Sequence, residues 1–107
     1  MKHLASVIAF LTLLASLSGC SLGDPRLSVF QGNFSFGSGD FQSATVSYLR
    51  ALPAEGFADI IYYNLGNVYY ALGETSAAAD AWDEAAASPR RAVQFAVFFN
   101  RGVMMYE

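Results

Sequence analysis

Shifted by 34 positions, the sequence falls over itself: Gly32 and Asn33 land on Gly66 and Asn67, Gly39 on Gly73, Ala44 on Ala78, Tyr48 on Trp82 and Ala51 on Ala85. A period of this length is that of a helix pair repeated along the chain, because one pair cannot bury its apolar face alone and must stack on the next. Within the second copy, Ile61, Leu65, Val68 and Leu72 are spaced three and four apart, as a buried helix face requires. Gly66 sits inside this helix, where glycine costs about 1 kcal/mol. A close helix crossing that a side chain would block accounts for it. Gly73 and Glu74 make the turn that follows. Thr75 or Ser76 is placed to cap the next helix, "SAAADAWDEAAA", and Glu74 suits its positive end.

The other copies are less regular. The first keeps Gly32, Gly39, Asp40, Phe41, Ala44, Tyr48 and Ala51, but Gln31 stands where the second has Leu65 and Ser35 where it has Tyr69. Its first helix, about 26 to 37, is therefore expected to be loose; its second, about 40 to 52, is stopped by Pro53. A third copy begins at a shift of 36, with Phe98, Gly102 and Met105 over Tyr62, Gly66 and Tyr69, and the two extra residues fall in the turn "SPRRA". Arg101 replaces the expected leucine. This last helix carries Phe95, Val97, Phe98, Val103, Met104 and Met105 on more than one side, more than a single preceding helix can cover. Two readings stay open: a partner buries the remainder, or the sequence is a piece of a longer one.

Tyr62, Leu65, Gly66 and Tyr69, followed by Ala78 and Trp82, with Ala85 a turn further and Pro89 near the closing turn, resemble the tetratricopeptide repeat (TPR), whose pattern is W-x2-L-G-x2-Y, A-x3-F and P. The resemblance implies an all-α fold: a TPR-type solenoid of helical hairpins, about two and a half repeats long. Its domain would span 26–107, in units of about 25–58 and 59–92 and an incomplete 95–107. It also implies a concave side lined by Val29, Phe30, Asn33 and Phe36, then Tyr63, Asn64, Asn67 and Tyr70, then Phe99, Asn100 and Tyr106. Of these, Asn33, Tyr63, Asn64, Asn67, Tyr70, Phe99 and Asn100 are the candidates for holding a protein or peptide ligand. An asparagine both donates and accepts, so it can satisfy a peptide main chain whatever its sequence, and tyrosine adds contact area with few rotors to freeze. The plainer reading is that Asn64 and Asn100 bond neighbouring helix backbones and the tyrosines pack between units. Asn33 and Asn64 match the carboxylate clamp of chaperone-binding members, but Val29, Ala96 and Asn100 occupy its basic positions, which argues against that clamp.

The first 19 residues read as an export signal. A basic start, "MKH", precedes fourteen uncharged residues, "LASVIAFLTLLASL", a stretch too short for a comfortable membrane span. Leu17, Ser18, Gly19 and Cys20 resemble the bacterial lipobox. That resemblance implies cleavage before Cys20, acylation of its sulfur and amino group, and a mature protein tethered by residues 20–25 to the membrane, on the periplasmic side or the cell exterior. Ser21 favours the outer membrane. The alternative is an ordinary or uncleaved leader with a chance cysteine. Cys20 is the one cysteine, so no internal disulfide can form.

Removing the leader removes the lysine and the histidine, leaving five arginines against nine acidic residues, a net charge of about −4. No basic footprint for nucleic acid remains, and no imidazole for proton transfer or metal binding. Asp80, Asp83 and Glu84 read as a solvated helix face, and "GNFSFGSGD" lacks the strand and the Gly-Lys of a phosphate loop. Arg90, Arg91 and Arg101 are placed to attract an acidic partner or simply to be solvated. The expectation is a non-enzymatic, cofactor-free, membrane-anchored scaffold of the bacterial envelope; the alternatives are self-assembly into a homo-oligomer through the C-terminal helix, a fragment of a longer repeat protein, or an accessory subunit of an envelope complex.

Overall fold

The computed structural model describes residues 23–107, so the expected leader, the lipobox and Cys20 lie outside the described residues. Among the described residues the chain is all-α, with five helices and no strand: α1 (Pro25–Gly37), α2 (Phe41–Ala51), α3 (Ala58–Ala71), α4 (Thr75–Ala86) and α5 (Arg91–Tyr106). α1 pairs with α2 and α3 with α4 as antiparallel hairpins; α2 leans on α3, and α5 packs against both α3 and α4. None of these helices is long and apolar enough to cross a membrane.

The two hairpin turns are copies of one another at the 34-residue spacing. Gly39 and Gly73 both sit in the left-handed region, at φ 78° and 77°. Asp40 N–H donates to the Ser35 carbonyl and Glu74 N–H to the Tyr69 carbonyl, each at 2.9 Å. This six-to-one closure over a left-handed residue is the Schellman stop, and glycine adopts it without the steric penalty of a Cβ.

The helix starts differ between the copies. Asp40 caps α2, accepting from Ser43 N–H at 3.1 Å and from Ser43 Oγ at 2.7 Å. Neither Thr75 nor Ser76 caps α4: Glu74 holds the cap position, Thr75 is already helical, and no side chain bonds the first turn. The Schellman closure brings the helix in one residue earlier than a Thr or Ser cap would. α1 is a full 13-residue helix rather than a loose one. Asp24 accepts from Arg26 N–H at 3.0 Å, and Pro25 supplies a pre-set φ at the first helical position, so the tether gives way to helix before residue 26. α5 likewise starts at Arg91, four residues ahead of the expected third unit. Leu72 is 42 % exposed; α3 ends at Ala71, and the Gly73 turn carries Leu72 off the buried stripe.

Two linked cores hold the hairpins. Ala44, Tyr48, Ala51, Ile61, Leu65, Val68 and Ala81 form one; Ala78, Trp82, Ala85 and Val97 form the other; and Tyr62 and Tyr69 pack against both. Inside each hairpin an aromatic ring packs against a glycine. A Cβ on Gly32 would sit 2.5 Å from Tyr48 Cε1, and one on Gly66 would overlap the Trp82 indole. Gly66→Ala is therefore expected to lower stability by about 2 kcal/mol in chemical denaturation, overpacking outweighing the gain of roughly 1 kcal/mol in helix propensity. An unchanged midpoint would mean that the ring does not rest on this glycine.

Candidate functional site

The first helix of each hairpin and α5 turn one side toward a common groove, in which two clefts lie end to end. The first, of about 320 Å³, is lined by Val29 and Asn33 of α1, Ile60, Tyr63 and Asn64 of α3, and Ala92, Val93 and Ala96 of α5. The second, of about 220 Å³, is lined by Phe36 of α1, Asn67, Tyr70 and Ala71 of α3, Trp82 of α4, and Asn100 and Val103 of α5. Each exceeds the space of a single water by an order of magnitude; the first lies at the lower end of the range of small-molecule pockets and the second below it.

Of the seven candidate residues, Asn33, Tyr63 and Asn64 line the first cleft and Asn67, Tyr70 and Asn100 the second. Phe99 lines neither and is 65 % exposed. Phe30 and Tyr106, also read from the sequence as lining residues, stand out in solvent at 66 % and 94 %.

Three of the asparagines are partly committed to the fold. Tyr48 donates its hydroxyl to Asn33 Oδ1 at 2.6 Å, and the equivalent Trp82 indole N–H donates to Asn67 Oδ1 at 3.3 Å. An indole nitrogen only donates, so Asn67 must present its oxygen to the ring. Asn100 must then present its nitrogen, which donates to Asn67 Oδ1 at 2.7 Å and to the Tyr63 hydroxyl at 3.2 Å. The plain reading anticipated bonds from Asn64 and Asn100 to helix backbones; Asn100 instead ties two side chains of α3. The chain of bonds fixes which atoms remain: the amide nitrogens of Asn33 and Asn67 and the oxygen of Asn100 are the unspent ends. A donor and an acceptor are thus held side by side in the second cleft.

Tyr70, which lines that cleft, carries an orphan polar atom behind it. The Tyr70 hydroxyl is shielded from solvent without a hydrogen-bond partner, a loss worth about 1–3 kcal/mol when a buried polar group is left unpaired. Its ring tilts against Trp82 with centroids 5.8 Å apart, so the walls are aromatic and the polar groups few.

A second network, not anticipated from the sequence, sets the position of α5 across the groove. Asp59, at the start of α3, accepts from Ser88 Oγ at 2.5 Å and from Arg90 Nη1 at 2.5 Å. Arg90 also reaches the Gly56 carbonyl at 2.9 Å, and Gln94 Nε2 donates to the Ser88 carbonyl at 2.6 Å. Arg101 pairs with Asp83. Two of the three arginines read as candidates for an acidic partner are thus engaged within the chain. Burial opposes ionisation of Asp59, but the bonds from Ser88 and Ile60 and the Arg90 charge outweigh it and hold the carboxyl below its usual range. Its carboxylate therefore stabilises the fold fully above the unfolded value, near 3.9, and this contribution is lost as pH falls through the lowered native value.

Among the described residues no three His, Cys, Asp or Glu side chains gather as a metal site. Asp80, Asp83 and Glu84 are exposed on α4. Compared with protein-family models, curated proteins and solved structures, the chain matches none.

Two outcomes follow from these bonds. Asn67→Leu strands the Trp82 N–H and the Asn100 amide and is expected to lower the unfolding free energy by about 1–3 kcal/mol, whereas Asn67→Asp keeps the acceptor and stays close to the parent in the same urea titration. Asp59→Asn removes an acid-sensitive contribution, so between pH 6 and pH 3 its thermal midpoint, followed by circular dichroism, is expected to fall less than that of the parent.

Proposed function

We propose that this protein is a membrane-anchored TPR lipoprotein of the bacterial envelope, a non-catalytic scaffold that holds an extended segment of another protein in the groove across α1, α3 and α5. The repeated glycine-under-aromatic hairpins and their matching turns support the TPR reading, which adds the expectation that hairpins stack with their first helices inward. The leader and "LSGC" support the anchor.

The observation that carries the binding role is the second cleft. It combines aromatic walls with two amides whose free ends are fixed by bonds made elsewhere. An apolar side chain fills such a space, and the amides take the flanking main chain. Its groups are held by the fold before any ligand arrives, which lowers the ordering cost of binding.

Trp82 is the sole tryptophan and forms part of the cleft wall, so its emission reports occupancy. An array of extended peptides, each with Leu, Phe or Tyr at a central position, is expected to contain sequences that shift Trp82 emission in a saturable manner. Val103→Arg, which fills the cleft mouth from a partly exposed site, should abolish the shift without loss of helicity. Saturation that persists in Val103→Arg would remove the groove as the binding site. In cells, a fatty-acid probe is expected to label the parent chain and not Cys20→Ser.

A further inference from the structure

The first helix carries apolar side chains on two opposite sides, and the fold uses only one of them. Ser28 and Gly32 are buried, with the Tyr48 ring against Gly32, and Val29 and Phe36 pack on the same core. Leu27, Phe30 and Phe34 recur at intervals of three and four, the spacing of a single helical stripe. At about 3.6 residues per turn they stand roughly opposite Ser28 and Gly32, and they are 54 %, 66 % and 71 % exposed. Polar residues edge the stripe, Arg26 on one flank and Gln31 on the other, and α1 contains no acidic residue. The carboxylate at its start, Asp24, is turned back onto the Arg26 N–H. Arg50 of α2 lines a cleft with Gly23, Asp24 and Pro25 at the same end.

We propose that α1 lies along the membrane surface with Leu27, Phe30 and Phe34 sunk to the boundary between headgroups and acyl chains, so that the domain is seated on the bilayer as well as tied to it. This rests on the anchor at Cys20 proposed above. Five residues lead from Cys20 to Pro25, and fully extended they span about 18 Å. That is no more than the length of α1 itself, about 20 Å for 13 residues. A stripe tethered so close to lipid meets it at a far higher effective concentration than any partner in solution. The helix is suited to that surface, since its interior backbone groups bond within the helix. It is not long and apolar enough to cross the membrane, and a helix with an apolar side and polar edges lies in the plane of the interface. Arg26 and Arg50 then meet anionic headgroups, while Asp80, Asp83 and Glu84 belong to the other hairpin. Val29, Asn33 and Phe36 lie about a third of a turn round α1 from the stripe, which keeps the groove clear of the lipid.

The test uses the full chain in vesicles of phosphatidylethanolamine and phosphatidylglycerol, with and without bromine on the acyl chains, which quenches tryptophan on contact. The parent, whose Trp82 is buried, gives the baseline. The emission added by Phe30→Trp is expected to be largely lost in the brominated vesicles and protected from iodide in the buffer. The emission added by Asp80→Trp, at an exposed site on α4, should show the reverse. Phe34→Glu alters an exposed side chain, so combined with Phe30→Trp it should restore emission in the brominated vesicles while the circular dichroism spectrum is kept. Emission from Phe30→Trp untouched by bromine overturns the proposal, as does equal quenching at Asp80→Trp or quenching unmoved by Phe34→Glu. Sedimentation in detergent showing a dimer that Phe34→Glu dissolves would also overturn it, assigning the stripe to a second copy. Fatty-acid labelling of the same preparation separates this proposal from the anchor. An acylated chain without lipid contact at residue 30 overturns the docking alone, and lipid contact in a chain that takes no fatty acid keeps the docking and removes the anchor.

Discussion

The contact between the Trp82 indole and Gly66 organises the structure around it. One ring fills the crossing of α3 and α4, taking the place of a side chain the glycine lacks, while its nitrogen bonds the next residue, Asn67. Apolar burial and polar satisfaction are thus met by one side chain. The ring can bury its large surface only if its single donor is paired, so the glycine and the asparagine are two halves of one requirement. Tyr48 over Gly32 and Asn33 meets the same requirement with a hydroxyl in place of the indole.

From that contact the order passes into the groove. Because the indole can only donate, it sets the orientation of Asn67, and Asn67 in turn sets Asn100 on a helix that begins nine residues after the indole. The groove's free polar atoms are consequently arranged by the core beneath them. Asp59 adds a clasp at the other end of α3, where Ser88 and Arg90 hold the turn that launches α5. With these two ties, α5 is fixed against α3 by polar bonds as well as by the buried Val97.

Much of the helical frame was legible in the sequence because its determinants are local or periodic. Glycines and aromatics sixteen residues apart, repeated after 34, define both the hairpins and their crossings. What escaped was of two kinds. Helix ends depend on which backbone groups close the turn, and the glycine turns set the start of α4 at Thr75 itself and put Leu72 outside the buried stripe. Partnerships between distant polar groups leave no pattern at all: Asp59 and Arg90 are 31 residues apart with nothing periodic between them. The double duty of Asn67 lies between these cases. Gly-Asn followed fifteen residues later by a ring with a donor occurs in both copies, but the sequence reading took the two asparagines only as lining residues, and the bond to the ring came from the structure.

The paired turns at Gly39 and Gly73 have a further consequence for how such a chain can change over generations. Every bond that closes each turn is supplied from within its own hairpin, by the carbonyls of the helix just finished. The turn is therefore a portable part that closes without its neighbour, while the apolar faces of the hairpin still need one to stack on. Duplication of one 34-residue block would carry its own hinge, its own ring and its own seat for that ring, and would lengthen the inner wall by one rung without retuning those already present.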